Sequence, residues 1–273
     1  MSEAAIPDLA IAWPQVLVLA SSLVAFITAA AWCARQVRAG LPLIPPRPHE
    51  EVCWDAGDVA VVVVLYLLGA TAMTEAGGPD RAPVTRLVGN AVLSLGALLA
   101  GVAWLRFRGA DRGMLGFRPH AGDLALAVRS LALVVLPLLL LAAGLNAVVR
   151  YEHPIIDFLS ADRGWAAAML VAVSAIVVAP LAEEFFFRRI LQGWLEKHFA
   201  GEAGVAVALS SIAFAAAHAG QGMAFVPLFA LALLLGRIAE RTGSIVPCVL
   251  LHGMFNAVSV FLLLAGRSLA CCG

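Results

Sequence analysis

Apolar runs near the roughly 20 residues needed to cross a bilayer recur along the whole of this 273-residue chain. LALAVRSLALVVLPLLLLAAGLNAVV, which begins at Leu124, is one of them. Eight such spans are expected, at about 10–32, 58–74, 87–105, 124–149, 165–187, 203–219, 223–239 and 245–266. Composition agrees: 62% of residues are hydrophobic and 13% charged, where a soluble domain carries roughly 25%. Mean hydropathy is +0.93. The expected fold is all-α, a polytopic transmembrane helical bundle. The formal net charge is +0, which implies no nucleic-acid partner. The chain divides into residues 1–150, four spans with no assignable motif, and residues 160–266, four spans that hold every informative one.

MSEAAIPDLA at the start lacks the positive stretch of a signal peptide, so the first span is expected to be retained. Cys33, Cys53, Cys248, Cys271 and Cys272 show no C-x-x-C spacing, which argues against a structural zinc site or a disulfide framework. None stands four from the end, so the chain itself is not expected to be prenylated. With eight spans, one set of loops carries twelve basic residues, Arg35, Arg38, Arg47, Arg106, Arg108, Arg112, Arg118, Arg188, Arg189, Lys197, Arg237 and Arg241. The other set carries five, Arg81, Arg86, Arg150, Arg163 and Arg267. The positive-inside rule puts the first set in the cytoplasm and both termini outside it. Arginine outnumbers lysine 17 to 1, a bias that suggests a GC-rich bacterial genome and a bacterial inner membrane.

Three features outside the apolar runs have simple readings. The proline-dense stretch from Gly40 to His49 reads as an extended connector. The basic segment from Arg106 to Asp123 suits contact with an anionic leaflet, and Tyr151 to Arg163 is a polar break. Asp58 and Arg129, near span ends, are expected to snorkel to the interface.

Residues 175–190 read AIVVAPLAEEFFFRRI, four charges inside an apolar run. Residues 165–199 hold no glycine before Gly193 and a single proline, so one long helix is expected. It should bend at Pro180, which lacks an N–H and leaves the Ile176 carbonyl unpaired. Glu184 and Arg188 are four apart and share a face, which suits an ion pair. Glu183 lies about 100° round the axis and is free to point elsewhere. Arg189 is expected to snorkel to the cytoplasmic interface.

Of six histidines, only His218 and His252 lie within apolar spans. Phe214 and His218 are four apart, as are His252 and Asn256. One buried histidine is often no more than a helix–helix hydrogen bond. Two histidines, an asparagine and a Glu-Glu-x-x-x-Arg group together mark a site. Glu183 lies 18 residues before Gly201 and His218 17 after it, so both should stand roughly 26 Å from that turn, at one height. His252 joins them only if the hairpin of the fifth and sixth helices projects further into the cytoplasm.

A carboxylate beside a histidine can act as general base on water. A second histidine with an asparagine can donate hydrogen bonds to the oxyanion formed when water adds to a carbonyl. Other intramembrane protease chemistries lack their motifs here: there is no H-E-x-x-H, no Gly-x-Ser-Gly and no Gly-x-Gly-Asp.

Glu183-Glu184-x-x-x-Arg188, Phe214-x-x-x-His218 and His252-x-x-x-Asn256, in that order, resemble the three motifs of the CPBP family of CAAX-processing and bacteriocin-processing intramembrane proteases. The resemblance covers roughly residues 165–262. It implies an endopeptidase of glutamic type with Glu183 as base, His218 aiding in water activation, and His252 and Asn256 as the oxyanion hole. Glu184 and Arg188 would support them. It implies no cofactor, although a Glu-His-His set can also furnish three ligands of a catalytic zinc site. The implied partners are the lipid bilayer and a membrane-associated, prenylated or leader-bearing protein or peptide, with the active site opening toward the cytoplasm. Arg189 stands where the family often has glycine. Two other readings are a non-catalytic, immunity-type member that holds a membrane partner, and a proton-coupled carrier. Against the carrier, the chain shows no repeated halves.

Overall fold

The computed structural model describes residues 13–75, 83–149 and 164–270. The expectations for the first ten residues, for Arg81, Arg150, Arg163 and the break from Tyr151, and for Cys271 and Cys272 lie outside the described residues. So do the side chains of Arg86 and Arg267. Among the described residues there is no strand. The described residues form eight helices in turn: α1 Trp13–Arg38, α2 Ala56–Glu75, α3 Pro83–Phe107, α4 Asp123–Val148, α5 Trp165–His198, α6 Ala203–Ala217, α7 Phe225–Thr242 and α8 Val246–Ala270. Six of them are long and apolar enough to cross a bilayer. The chain is an integral membrane protein.

The fifth helix runs on to His198, the one long helix expected over residues 165–199. One expected span is corrected. The sixth has 15 residues, roughly 22 Å at 1.5 Å per residue, against a hydrocarbon core of about 30 Å. It is too short to cross. α6 returns against the C-terminal part of α5 and packs along α7.

The loops that carry most of the basic residues gather at one end. Arg47 N–H donates to the Arg241 carbonyl at 2.9 Å and Ile245 N–H to the Gly116 carbonyl at 3.0 Å. The proline-rich connector forms neither helix nor strand, and Arg47 Nη1 lies 2.5 Å from Asp123 Oδ1. The Arg106–Asp123 segment turns inward, with Ala110 and Leu115 buried. α7 ends on Gly243, whose φ of +61° lets it occupy the left-handed position that closes a helix. That allows α8 to double back at once.

Apolar clusters cross from the first half of the chain to the second. Trp54, Val62 and Leu105 pack with Phe185 and Ile190, while Leu126 and Leu138 pack with Leu235 and Leu251. Two snorkelling expectations are corrected by this packing. Asp58 is 3% exposed and accepts from Trp104 Nε1 at 2.9 Å and Arg108 Nε at 2.8 Å. Arg189 is 4% exposed, donates to the Met114 carbonyl and lies over the Trp54 ring. Both charges meet partners within the protein, because the connectors fold over the helix ends and remove the water that snorkelling requires. Arg129 stays exposed, its guanidinium 4.8 Å from the centroid of the Trp32 ring.

Candidate active site

α5 is continuous but not uniformly α-helical. Ser174–Val178 and Phe185–Leu191 adopt the wider i→i+5 π pattern, on either side of Pro180. Such bulges occur where a helix must re-aim its side chains. Ala179 N–H bonds to the Ser174 carbonyl, five residues back. The next bond in that register would come from residue 180, a proline with no N–H. The carbonyl deprived of that bond is therefore Ala175 rather than Ile176. Asn256 Nδ2 of α8 donates to it at 2.8 Å. Ile176 is approached from the same helix: a Cβ placed on Gly253 would stand 2.6 Å from its carbonyl oxygen.

Behind this bend, Glu184 and Arg188 are fully buried and Arg188 Nε donates to Glu184 Oε2 at 3.0 Å. The second carboxylate oxygen, Oε1, is 2.9 Å from His252 Nδ1. A carboxylate only accepts, so Nδ1 carries the proton and Nε2 faces the other way. His218 is held in the same sense, its Nδ1 lying 2.8 Å from the Phe214 carbonyl. A carbonyl also only accepts, so here too Nε2 is the outward nitrogen.

Both outward nitrogens converge on one acid. Glu183 Oε2 is 3.9 Å from His218 Nε2 and 3.9 Å from His252 Nε2. That exceeds a direct hydrogen bond and suits a shared water. Glu183 retains 28% side-chain exposure, against 0% for Glu184. The two neighbouring acids thus face different surroundings, one buried in a salt bridge and one open to a cavity.

Glu183 and His218 stand where two cavities meet, and Ser94 and Gln221 border both. One, of about 360 Å³, is walled by Val62, Tyr66, Leu98 and Phe186. The other, of about 600 Å³, is reached by His252 and Asn256. α5 continues well past Glu183 to His198, whereas α8 begins at Val246. That difference in projection brings His252 level with the acid. Glu183, His218, His252 and Asn256 border one space, with Glu184 and Arg188 directly behind.

Among the described residues, no three His, Cys, Asp or Glu side chains come close enough together to hold a metal ion.

Sequence reasoning assigned no role to Phe214, which is fully buried with His218, His252 and Arg188 all against its ring. It also passed over Ser210, Gln192 and the Trp54 indole, which donates to the Ile190 carbonyl at 3.0 Å. For the first two a signal existed: Ser210 is four residues before Phe214, and Gln192 four after Arg188.

Residues 165–258 match the family model described as type II CAAX prenyl endopeptidase Rce1-like. The segment is similar to that family over about a third of the chain. It contains Glu183, Glu184, Arg188, His218, His252 and Asn256, while Ser94 and the cavity walls Val62, Tyr66 and Leu98 lie before it. The match supports an intramembrane protease role of CAAX type in general terms. No curated protein and no solved structure matches the chain.

Proposed function

We propose that this protein is a glutamate-dependent intramembrane endopeptidase that hydrolyses a peptide bond near an apolar, prenyl-bearing end of a membrane-associated chain. The observation that carries the reading is the placement of Glu183 Oε2 at 3.9 Å from two histidine Nε2 atoms, where two cavities meet.

Glu183, paired with the neutral His218 Nε2, takes a proton from a water held between them, and the water oxygen bonds to the scissile carbonyl carbon. Charge moves to the carbonyl oxygen. Asn256 offers its second amide hydrogen there, and His252 offers Nε2–H when its ring carries both protons. The carbon–nitrogen bond then breaks, and the proton held by Glu183 passes to the departing amine. One water is consumed and no side chain becomes covalently modified. Glu184 and Arg188 hold His252 in place. No step calls for a metal. The apolar walls of the smaller cavity suit a hydrocarbon group or large aliphatic side chain, and the basic connectors that meet at one end of the bundle, with Arg47, Arg118 and Arg241 among them, turn that end toward the cytoplasm.

The test is cleavage of a farnesylated CAAX-terminated peptide by protein reconstituted in liposomes, with products read by mass spectrometry. Glu183→Gln is expected to fold normally and lose cleavage by at least about a hundredfold. Cleavage at the wild-type rate in that variant overturns the assignment.

A further inference from the structure

A line of buried hydrogen bonds leads away from the site through residues that border neither cavity. We propose that Ser210 and Gln192 are positioning residues that set the tautomer of His252 through Arg188 and Glu184. This deepens the proteolytic reading and rests on it for the step affected.

The direction of every bond along the line is fixed. Gln192 Nε2 lies 2.8 Å from the Gly236 backbone carbonyl and 2.8 Å from Glu196 Oε1. A backbone carbonyl only accepts, so the amide nitrogen must face it and Oε1 must face the other way. That oxygen accepts the Ser210 hydroxyl proton at 3.2 Å. Having given its proton there, Ser210 presents lone pairs to Arg188 Nη1 at 3.1 Å. A guanidinium only donates, and its Nε–H goes to Glu184 Oε2 at 3.0 Å. Glu184 Oε1 then accepts from His252 Nδ1 at 2.9 Å. Each group along the line has a single consistent role, and together they hold the Glu184 carboxylate against His252 Nδ1, which leaves Nε2 facing Glu183.

The packing protects this line. Gln192, Ser210 and Glu184 are each 0% exposed. A Cβ at Gly236 would stand 2.9 Å from Gln192 Oε1 and 3.0 Å from Val207 Cγ1, so α7 approaches closely enough only through that glycine. Glu184, Arg188, Gln192 and Glu196 recur every four residues along α5, a polar stripe inside an otherwise apolar helix.

The experiment compares Ser210→Ala, Ser210→Thr and Gln192→Met with wild type. Kinetics use the farnesylated peptide, and ¹⁵N NMR of histidine-labelled protein assigns His252 by difference against His252→Gln. Because neither residue borders a cavity, Ser210→Ala is expected to lower kcat by about tenfold or more with KM essentially unchanged. The His252 spectrum should change from a single Nδ1–H form to a mixture, and Ser210→Thr, which restores the hydroxyl, should recover both. Gln192→Met should behave as Ser210→Ala does, so either variant suffices if the other fails to fold. Unchanged His252 nitrogen signals in the folded variants overturn the proposal, as does a loss confined to KM. A wild type that leaves the peptide intact sinks the proteolytic reading alone, and the ¹⁵N spectra then decide the tautomer assignment by the same criterion.

Discussion

The side-chain amide of Asn256 donates to the backbone carbonyl of Ala175 at 2.8 Å, across the interface between α8 and the bent part of α5. That carbonyl is available because the residue five positions later is Pro180. A proline in one helix and an asparagine in another therefore form a single device. Pro180→Ala restores an N–H that competes for the Ala175 carbonyl, and Asn256 loses its anchor. The variant is expected to resist heat in detergent at least as well as wild type, yet to cleave about tenfold more slowly, since small misplacements of reacting groups are costly. Heat resistance gained with no loss of rate would break the link.

Breaking the buried ion pair carries a different signature. Glu184 and Arg188 are both wholly shielded from solvent, and removing one member of such a pair strands the other, at about 3–5 kcal/mol. Arg188→Ala and Glu184→Gln should each destabilise the fold strongly. The double variant should cost clearly less than the two losses added together. Denaturant titration of all four proteins in one detergent gives the coupling, and strict additivity would show that the contact contributes little.

Gly253 makes a third case. Its Cα side faces the Ile176 carbonyl so closely that any Cβ would lie 2.6 Å from the oxygen. Gly253→Ala must push α8 away from α5, carrying His252 and Asn256 with it. Cleavage should fall by about a hundredfold and resistance to heat should drop with it. Gly96, whose Cβ would meet nothing within 4 Å, serves as the control, with Gly96→Ala expected to match wild type in both measurements.

Metal removal should leave the reaction untouched. Both Nδ1 atoms are committed, to Glu184 and to the Phe214 carbonyl, and the outward Nε2 atoms are each 3.9 Å from Glu183. The expected result is full activity after prolonged dialysis against EDTA and in the presence of 1,10-phenanthroline. Loss that added zinc restores would overturn the metal-free pathway.

Glu184 and Arg188 were legible as a pair because four residues nearly complete a helical turn, and that holds wherever the helix goes. The pairing of Glu183 with His218 followed from counting residues to the turn at Gly201, since rise per residue is constant. Asp58 and Arg189, by contrast, were misread as snorkelling: nothing local reveals that Trp104 and Arg108 meet the first, or that the Met114 carbonyl and Trp54 ring cover the second. The π register was hidden for the same reason. It shifts the deprived carbonyl by one residue, from Ile176 to Ala175, and becomes visible only once Asn256 is seen to bond there.

Hydrophobicity and short spacings, being properties of consecutive residues, were enough to establish a membrane-embedded helical chain and which polar side chains share a helical face. How far α5 projects past α8, which atoms of His218 and His252 look toward Glu183, and what stands behind Arg188 depended on side chains distant in the chain. Those relations arise from packing between helices, where a hydrogen-bond partner is selected by position in space and leaves no trace in the order of neighbouring residues.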